Sequence, residues 1–452
     1  MQVKRERSIE RLQVVADAEG LTSRAGTALV AGLADRVGLT AALSQALVGL
    51  RERRCRHDPG RHVRDLALSL ADGGDCLADL RVLRDQEPLF GEVASDATAW
   101  RALAALDERR LGAIRQARAQ ARRRVWEQAG APERVILDLD GTLVTAHSDK
   151  EGAAGTYKGG FGFHPLLCYE ATSEEALAGL LRPGNAGFNT ASDHIELLGR
   201  ALAQLPPEAI GPGLLVRADR AGATHEFVDH VAARGLGFSV GLDLTERVRQ
   251  AILALPEPSW QPATASDGGE REGAWVAELA LDLSSWPSGT RAICRRERPH
   301  PGAQLSFSDE NGYRFQAFLT NQRGSRIARL EQLHRARAAC EDRIRCGKES
   351  GLRNLPFRDF QANAAWLELV LIAQDLLSWT QRLLLADTEL ARCEPKRLRY
   401  RLLHVAGRLT RHARRLVLHL PRAWPWQREL LTGWRPIVRV KSSGRSSAWT
   451  RS

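Results

Sequence analysis

The seven cysteines include no C-x-x-C pair, and no Cys/His spacing of a zinc site is present. Their number is odd, which argues against a complete disulfide framework, so they read as buried or incidental thiols of a reducing cytoplasm. The start, Met1-Gln2-Val3-Lys4-Arg5-Glu6-Arg7, leads into no apolar run, and no signal peptide is expected. No uninterrupted apolar stretch approaches membrane-spanning length, so no membrane partner is expected. No internal repeat is visible. What the chain has in excess is positive charge, formally +11 over 452 residues. Arginine dominates the cations and clusters on particular segments. Its planar, always-charged fork suits phosphate, which points to a polyanion as partner. A chain of this length is expected to form two or three domains, and 43% hydrophobic content is enough for globular folding.

Residues 1–131 read as helical. Ala34 followed by Gly38 marks a helix, a tight turn and a second helix, either a plain αα-hairpin or a helix-turn-helix DNA reader. Ala99 to Ala129 is strongly cationic, with Arg115, Arg118, Arg122, Arg123 and Arg124 about one turn apart or adjacent. Such a face is either solvated or laid along DNA phosphates. Pro132 ends this region. The period then changes. Strands are predicted at Val135–Leu139, Phe161–Glu170, Glu175–Leu181, Leu214–Ala218 and Leu236–Leu242, with helices over Thr190–Leu205 and Thr224–Ala233. Strands in succession, then strands alternating with helices, indicate a mixed α/β sheet. From Trp260 to Thr320 the chain is punctuated by Pro and Gly and strand-like. A long helix is predicted over Arg326–Cys346 and an apolar one over Ala362–Leu385, with Trp366 and Trp379 in its core face. The chain beyond Arg392 is again Arg-rich, and the tail from Ser442 is expected to fray.

Three acidic residues stand out. Asp140 ends the apolar run Val135-Ile136-Leu137-Asp138-Leu139-Asp140, and Asp219 ends Leu214-Leu215-Val216-Arg217-Ala218-Asp219. Glu341 lies in a basic helical segment. At about 100° per residue, His334, Arg337, Glu341 and Lys348 fall within about 60° of one another on the helical wheel. A carboxylate framed by cations on one face has the composition of a phosphodiester-cutting site, where metal-binding acids sit beside phosphate-binding bases. Each residue also has an ordinary reading. Asp-Gly after a strand is a turn signal, Asp219 fits a strand-end cap, and Glu341 fits an ion pair with Arg337 or Arg345. His147 and His164 read as structural histidines.

The spacing His334-x2-Arg337-x3-Glu341-x6-Lys348 resembles the Tyr-x2-Arg-x3-Glu-x6-Lys signature of a large group of bacterial insertion-sequence transposases, with His334 in place of Tyr. Within that group the chain most resembles the 1380 family. The matching stretches are Asp138 to Val144, Ala146 to Glu151, Lys158 to Leu166, Leu181 to Gly187 and Gly351 to Phe357. The resemblance implies an α/β, RNase H-like catalytic core at 132–258 and 325–390, interrupted by a β-rich insertion at 259–324. A helical DNA-end-binding domain at 1–131 would precede it, and a basic C-terminal region at 391–452 with C-terminal helices would follow. It further implies a catalytic and metal-binding triad of Asp140, Asp219 and Glu341, with Asp140 bridging two Mg²⁺ ions (Mn²⁺ substituting). His334, Arg337, Arg345 and Lys348 would contact DNA. The partners implied are double-stranded transposon ends and target DNA. A homodimer in the synaptic complex and a bacterial, nucleoid-associated cytoplasmic location are expected.

Two other readings use the same residues. Leu137-Asp138-Leu139-Asp140-Gly141-Thr142-Leu143 resembles the nucleophile motif of haloacid-dehalogenase-like phosphatases, with Asp138 as nucleophile and Asp140 as general acid/base. The later acidic pair that those enzymes need is missing after Asp219. The third reading is a catalytically inactive, transposase-derived DNA-binding protein.

Overall fold

The computed structural model describes residues 12–50, 58–299, 309–310, 312–324, 326–413 and 415–437; the N-terminal start and the tail from Ser442 lie outside them. The N-terminal part is helical: α1 (Ala25–Arg36), α2 (Leu39–Ala46), α3 (Pro59–Asp72) and the long α4 (Glu108–Ala129). Gly38 joins α1 to α2 with φ +74°, a left-handed conformation that favours glycine. Helix α2 carries no cation and buries Leu39 and Leu43.

One mixed sheet dominates the rest. Strands β1 (Ile136–Gly141), β2 (Leu166–Glu170) and β3 (Ala176–Leu180) run antiparallel in succession. Beyond α5 (Ala191–Leu202), β4 (Leu215–Ala218) lies parallel to β1. Beyond α6 (His225–Ala233), β5 (Gly237–Leu242) lies parallel to β4. This order, β3-β2-β1-β4-β5, is the RNase H-like arrangement of three antiparallel strands followed by parallel additions through helices. The insertion supplies β6 (Gln261–Thr264), β7 (Glu270–Leu279), β8 (Arg291–Glu297) and β9 (Tyr313–Thr320). Because β9 pairs antiparallel with β5, these strands continue the central sheet instead of forming one of their own.

Three predicted elements differ from the sequence reading. The single strand over Phe161–Glu170 is two. Phe161–Phe163 joins a small sheet with Val144–Thr145 and Ala154–Gly155, and β2 starts at Leu166. Pro165, which has no N–H to donate, stands at the break. The long helix over Arg326–Cys346 is α7 (Ile327–Arg335) and α8 (Ala339–Gly347), separated by a 3₁₀ turn at Ala336–Ala338. In the C-terminal region, Gly407–His412 and Arg415–His419 form a hairpin that pairs with Leu21–Thr22, so the region is not helical throughout.

The apolar helix is α9 (Phe360–Leu384), with Trp366 and Trp379 buried as predicted. Its polar residues organise the interior. Arg118 and Arg122 of α4, both 0% exposed, turn inward. Arg122 pairs with Glu175 at 3.0 Å and Asp375 at 2.5 Å, and donates to Gln204. Arg118 pairs with Asp375 at 3.0 Å and with Glu368. Glu175 also accepts from the indoles of Trp126 and Trp379 and pairs with Arg382. These two arginines therefore do not lie along DNA. They clamp the N-terminal helices to β3 and α9. A fragment ending at residue 131 would leave both guanidiniums without their carboxylates.

Candidate active site

β1 and β4 are neighbouring parallel strands in the register Leu139↔Ala218, so their next residues, Asp140 and Asp219, emerge side by side at the same end of the sheet. Each carboxylate is held by the backbone at its own turn. Asp140 Oδ1 accepts from the Gly141 N–H at 2.8 Å, and Asp219 Oδ1 accepts from the Ala221 N–H at 2.9 Å. Two glycines make room. A Cβ on Gly141 would stand 2.9 Å from His164 Nε2, and one on Gly241 would stand 2.7 Å from the Arg220 nitrogen. The Asp-Gly pair that reads as a turn in sequence is thus a strand end against which His164 packs. His164 itself is bonded through Nδ1 to the Ala186 carbonyl, and its burial holds its pKa below the usual histidine range. His147 is exposed.

Arg337 is the cation of this site. Its guanidinium contacts Asp140 Oδ2 at 3.0 Å. Burial raises the Asp140 pKa, the neighbouring Asp219 raises it further, and Arg337 opposes both. Burial likewise acts against the Arg337 charge, but Asp140 and then Asp219 outweigh it and hold the guanidinium protonated. Two carboxylates and one arginine therefore form an electrostatic unit.

Glu341 is exposed at the first turn of α8. Its neighbour Cys340 is buried; burial pushes that thiol up, and Asp138 and Asp140 add to the rise, which places the start of α8 against the β1 carboxylates. The ligand atoms of Asp140, Asp219 and Glu341 do not all lie within 4.8 Å of one another; among the described residues, Asp75, Cys76 and Asp79 form the group that does. That trio is explained by a capping box on a short 3₁₀ turn. Mutual approach within 4.8 Å is the spacing for a single ion. Ions about 3.5–4 Å apart, each about 2.0–2.1 Å from its oxygens, separate the outer ligands well beyond single-ion spacing. Hard carboxylate donors that already share one cation suit Mg²⁺ in chemical kind.

The remaining predicted residues do not share one helix face, because the 3₁₀ turn at Ala336–Ala338 changes the rotation between His334 and Glu341. His334 stacks on Phe318, with ring centroids 4.3 Å apart and an interplanar angle of 3°, and bonds Ser239 through Nδ1 at 2.9 Å. Burial, then Arg337, pull its pKa down to about 3, so it is a neutral ring seated on β9 and β5 and carries no charge to a phosphate. Arg345 is exposed and paired with Glu394 at 3.1 Å and Asp342 at 3.2 Å. Lys348 is half-buried at the end of α8. Burial lowers its pKa, and Arg353 and Lys158 lower it further, so three cations share that corner. Sequence reasoning gave Lys158 and Arg353 no site role. Their signal was proximity in space, which spacing along the chain does not contain.

Asp138 lies one step below Asp140 on the same strand face. It is 2% exposed and grips Arg217 across the β1–β4 pair at 2.6 and 2.7 Å, and Arg217 also donates to the Leu333 carbonyl. Both carboxylate oxygens are engaged by Arg217 in a buried structural pair, whereas the phosphatase reading needs a carboxylate that substrate can reach. Asp138→Asn should cost about 3 kcal/mol, because it leaves a buried guanidinium uncompensated. Denaturant unfolding checks this. A lowered midpoint, with cleavage retained in the folded fraction, is expected; an unchanged midpoint with all activity lost would restore a chemical role for Asp138.

The family described as transposase DDE domain, group 1, matches residues 4–442. Among solved structures, the chain is similar to a cryo-EM structure of the piggyBac transposase synaptic complex with hairpin DNA. The identity is 9% and the TM-score 0.43, over 94% of this chain and 87% of that one. No curated protein matches.

Proposed function

The chain belongs to the transposase DDE domain family, group 1, and is a DDE transposase; within that family we propose that it is the transposase of a bacterial insertion sequence of the 1380 family. It binds the terminal inverted repeats of its element, cuts at the ends and joins them to target DNA. It works as a homodimer, because two ends must be synapsed, and acts in the bacterial cytoplasm at the nucleoid. The observation that carries the site assignment is the pair Asp140 and Asp219 at adjacent parallel strand ends, sharing Arg337 as counter-ion.

Asp140 would hold both Mg²⁺ ions, and Asp219 and Glu341 one each, with Mn²⁺ able to substitute. When bound, such a pair activates a water or 3′-hydroxyl as nucleophile and stabilises charge on the leaving oxygen. The protein contributes position and charge. β1 and β4 hold two carboxylates at adjacent strand ends, and Glu341 on α8 would supply the third. Arg337 and Lys348 would offer cations to the phosphate of the cut strand.

A cleavage assay on the element's own flanking ends tests this reading. Mg²⁺-dependent cutting and joining, abolished by chelation and restored by Mn²⁺, is expected. Selective binding of the ends without any cutting would instead leave a DNA-binding descendant of a transposase. For Arg337→Ala, cleavage should fall by about 10²-fold, and the salt slope of end binding should decrease by about 0.9. Equal cleavage and an equal slope across a salt series would remove Arg337 from the phosphate contacts.

A further inference from the structure

At the opposite end of the sheet from Asp140, the chain leaves a second basic feature, a cleft of about 1160 Å³. It opens where β1, β4, β5 and β8 begin and β9 ends, and its rim carries Arg134, Arg323, Arg326 and Arg329, with Glu133 as the acid. Arg291 also lines it but is neutralised by Glu278 at 2.6 and 2.8 Å. The other four differ. Arg134 donates to the Gly213 carbonyl at 3.0 Å and to Gln322 Oε1 at 2.9 Å, both uncharged acceptors. Burial, then Arg217 and Arg329, lower its pKa, so it stands among cations. Arg329 donates to Gln332. None of the four has an ion pair with a carboxylate among the described residues. Arg323, Arg326 and Arg329 are exposed.

Four arginines of one sign held together cost free energy unless an anion compensates them. Their forks suit phosphate oxygens bidentately, and among the described residues no aromatic side chain lines the cleft to stack on a base. The volume exceeds what one phosphate would fill. Arg134 precedes Asp140 by six residues of extended chain, about 20 Å, so the cleft does not share the phosphate at the cut site.

We propose that this cleft binds the phosphate backbone of duplex DNA independently of sequence, as a second contact region remote from the catalytic carboxylates. The proposal rests on the DNA-transposing reading above. It gives a transposase that must handle both an end and a target a place to hold backbone without engaging the cutting site.

Fluorescence anisotropy of the full chain with a random-sequence duplex, from about 50 to 200 mM salt, tests it. Three variants accompany the parent: Arg323→Gln/Arg326→Gln/Arg329→Gln, the same three residues replaced by Lys, and a control carrying Arg247→Gln/Arg298→Gln/Arg358→Gln at exposed positions that do not line the cleft. Thermal unfolding verifies that each is folded. Each lost phosphate contact should reduce the log K against log salt slope by about 0.9, so the cleft Gln variant should lose about 2–3 units of slope. The Lys variant should keep most of it, and the control should lose less than about 1. Equal losses in the cleft and control variants would overturn the cleft and leave the transposase reading standing. A parent that binds no duplex even at low salt would overturn both. A cleft that is stabilised by inorganic phosphate at matched ionic strength, with no change of duplex slope on mutation, would be a small-anion site, and the proposal would fail.

Discussion

Replacing Asp140, Asp219 or Glu341 singly by alanine should lower strand cleavage and joining by about three orders of magnitude or more, while end binding stays near that of the parent. Metal-supplied stabilisation of several kcal/mol acts on the chemical step, whereas arginine and lysine contacts supply most of the affinity. The geometry separates the three. Asp140→Ala strips Arg337 of its direct partner and leaves only Asp219 to compensate it, so this variant should also bind DNA phosphate somewhat more readily. Glu341→Ala changes an exposed residue and should leave the fold untouched. Single-turnover cleavage on pre-bound ends measures the chemical step alone. Full activity in Glu341→Ala would sink its assignment and return it to an ordinary helix position.

The second large effect concerns stability. Asp375→Ala should destabilise the protein by about 3–5 kcal/mol, because Arg118 and Arg122 would each lose one of their two carboxylate partners in a fully buried setting. Glu175→Ala should cost a similar amount, since it also strands Arg382 and two indole N–H groups. Urea unfolding followed by circular dichroism reads these shifts. An unchanged midpoint in Asp375→Ala would mean that the network contributes nothing net and that the contact between α4 and α9 is carried by apolar packing.

These two predictions draw on different sources. Asp140 and Asp219 were legible because each terminates an apolar run that could only be a buried strand, and a charge at such an end needs a reason. The strands β1, β3, β4 and β5 and helix α6 followed from the same change of period to within a residue or two, whereas β2 starts five residues after its predicted beginning and α5 ends three before its predicted end. Cationic helix α4, in contrast, shows arginines at one-turn spacing whether they face DNA or the interior. Only the acids of distant β3 and α9 decide which. The helix over Arg326–Cys346 gave an intact pattern on the wheel, but the break at Ala336–Ala338 has no proline or glycine to announce it.

The sequence by itself determined which residues can carry the chemistry. Strand-end carboxylates, a glutamate among cations and an excess of arginine are local properties of composition and period, and they survive any arrangement of the parts. Tertiary structure alone decided which charges meet. It set Arg337 on Asp140, locked Asp138 with Arg217, withdrew His334 into the sheet and sent Arg118 and Arg122 inward, while Arg134, Arg323, Arg326 and Arg329 gathered at one cleft without an ion pair among the described residues. The reason is the range of the forces. Backbone propensity acts over a few residues, whereas an ion pair depends on distance in space, and partners such as Asp140 and Arg337 are 197 residues apart in the chain.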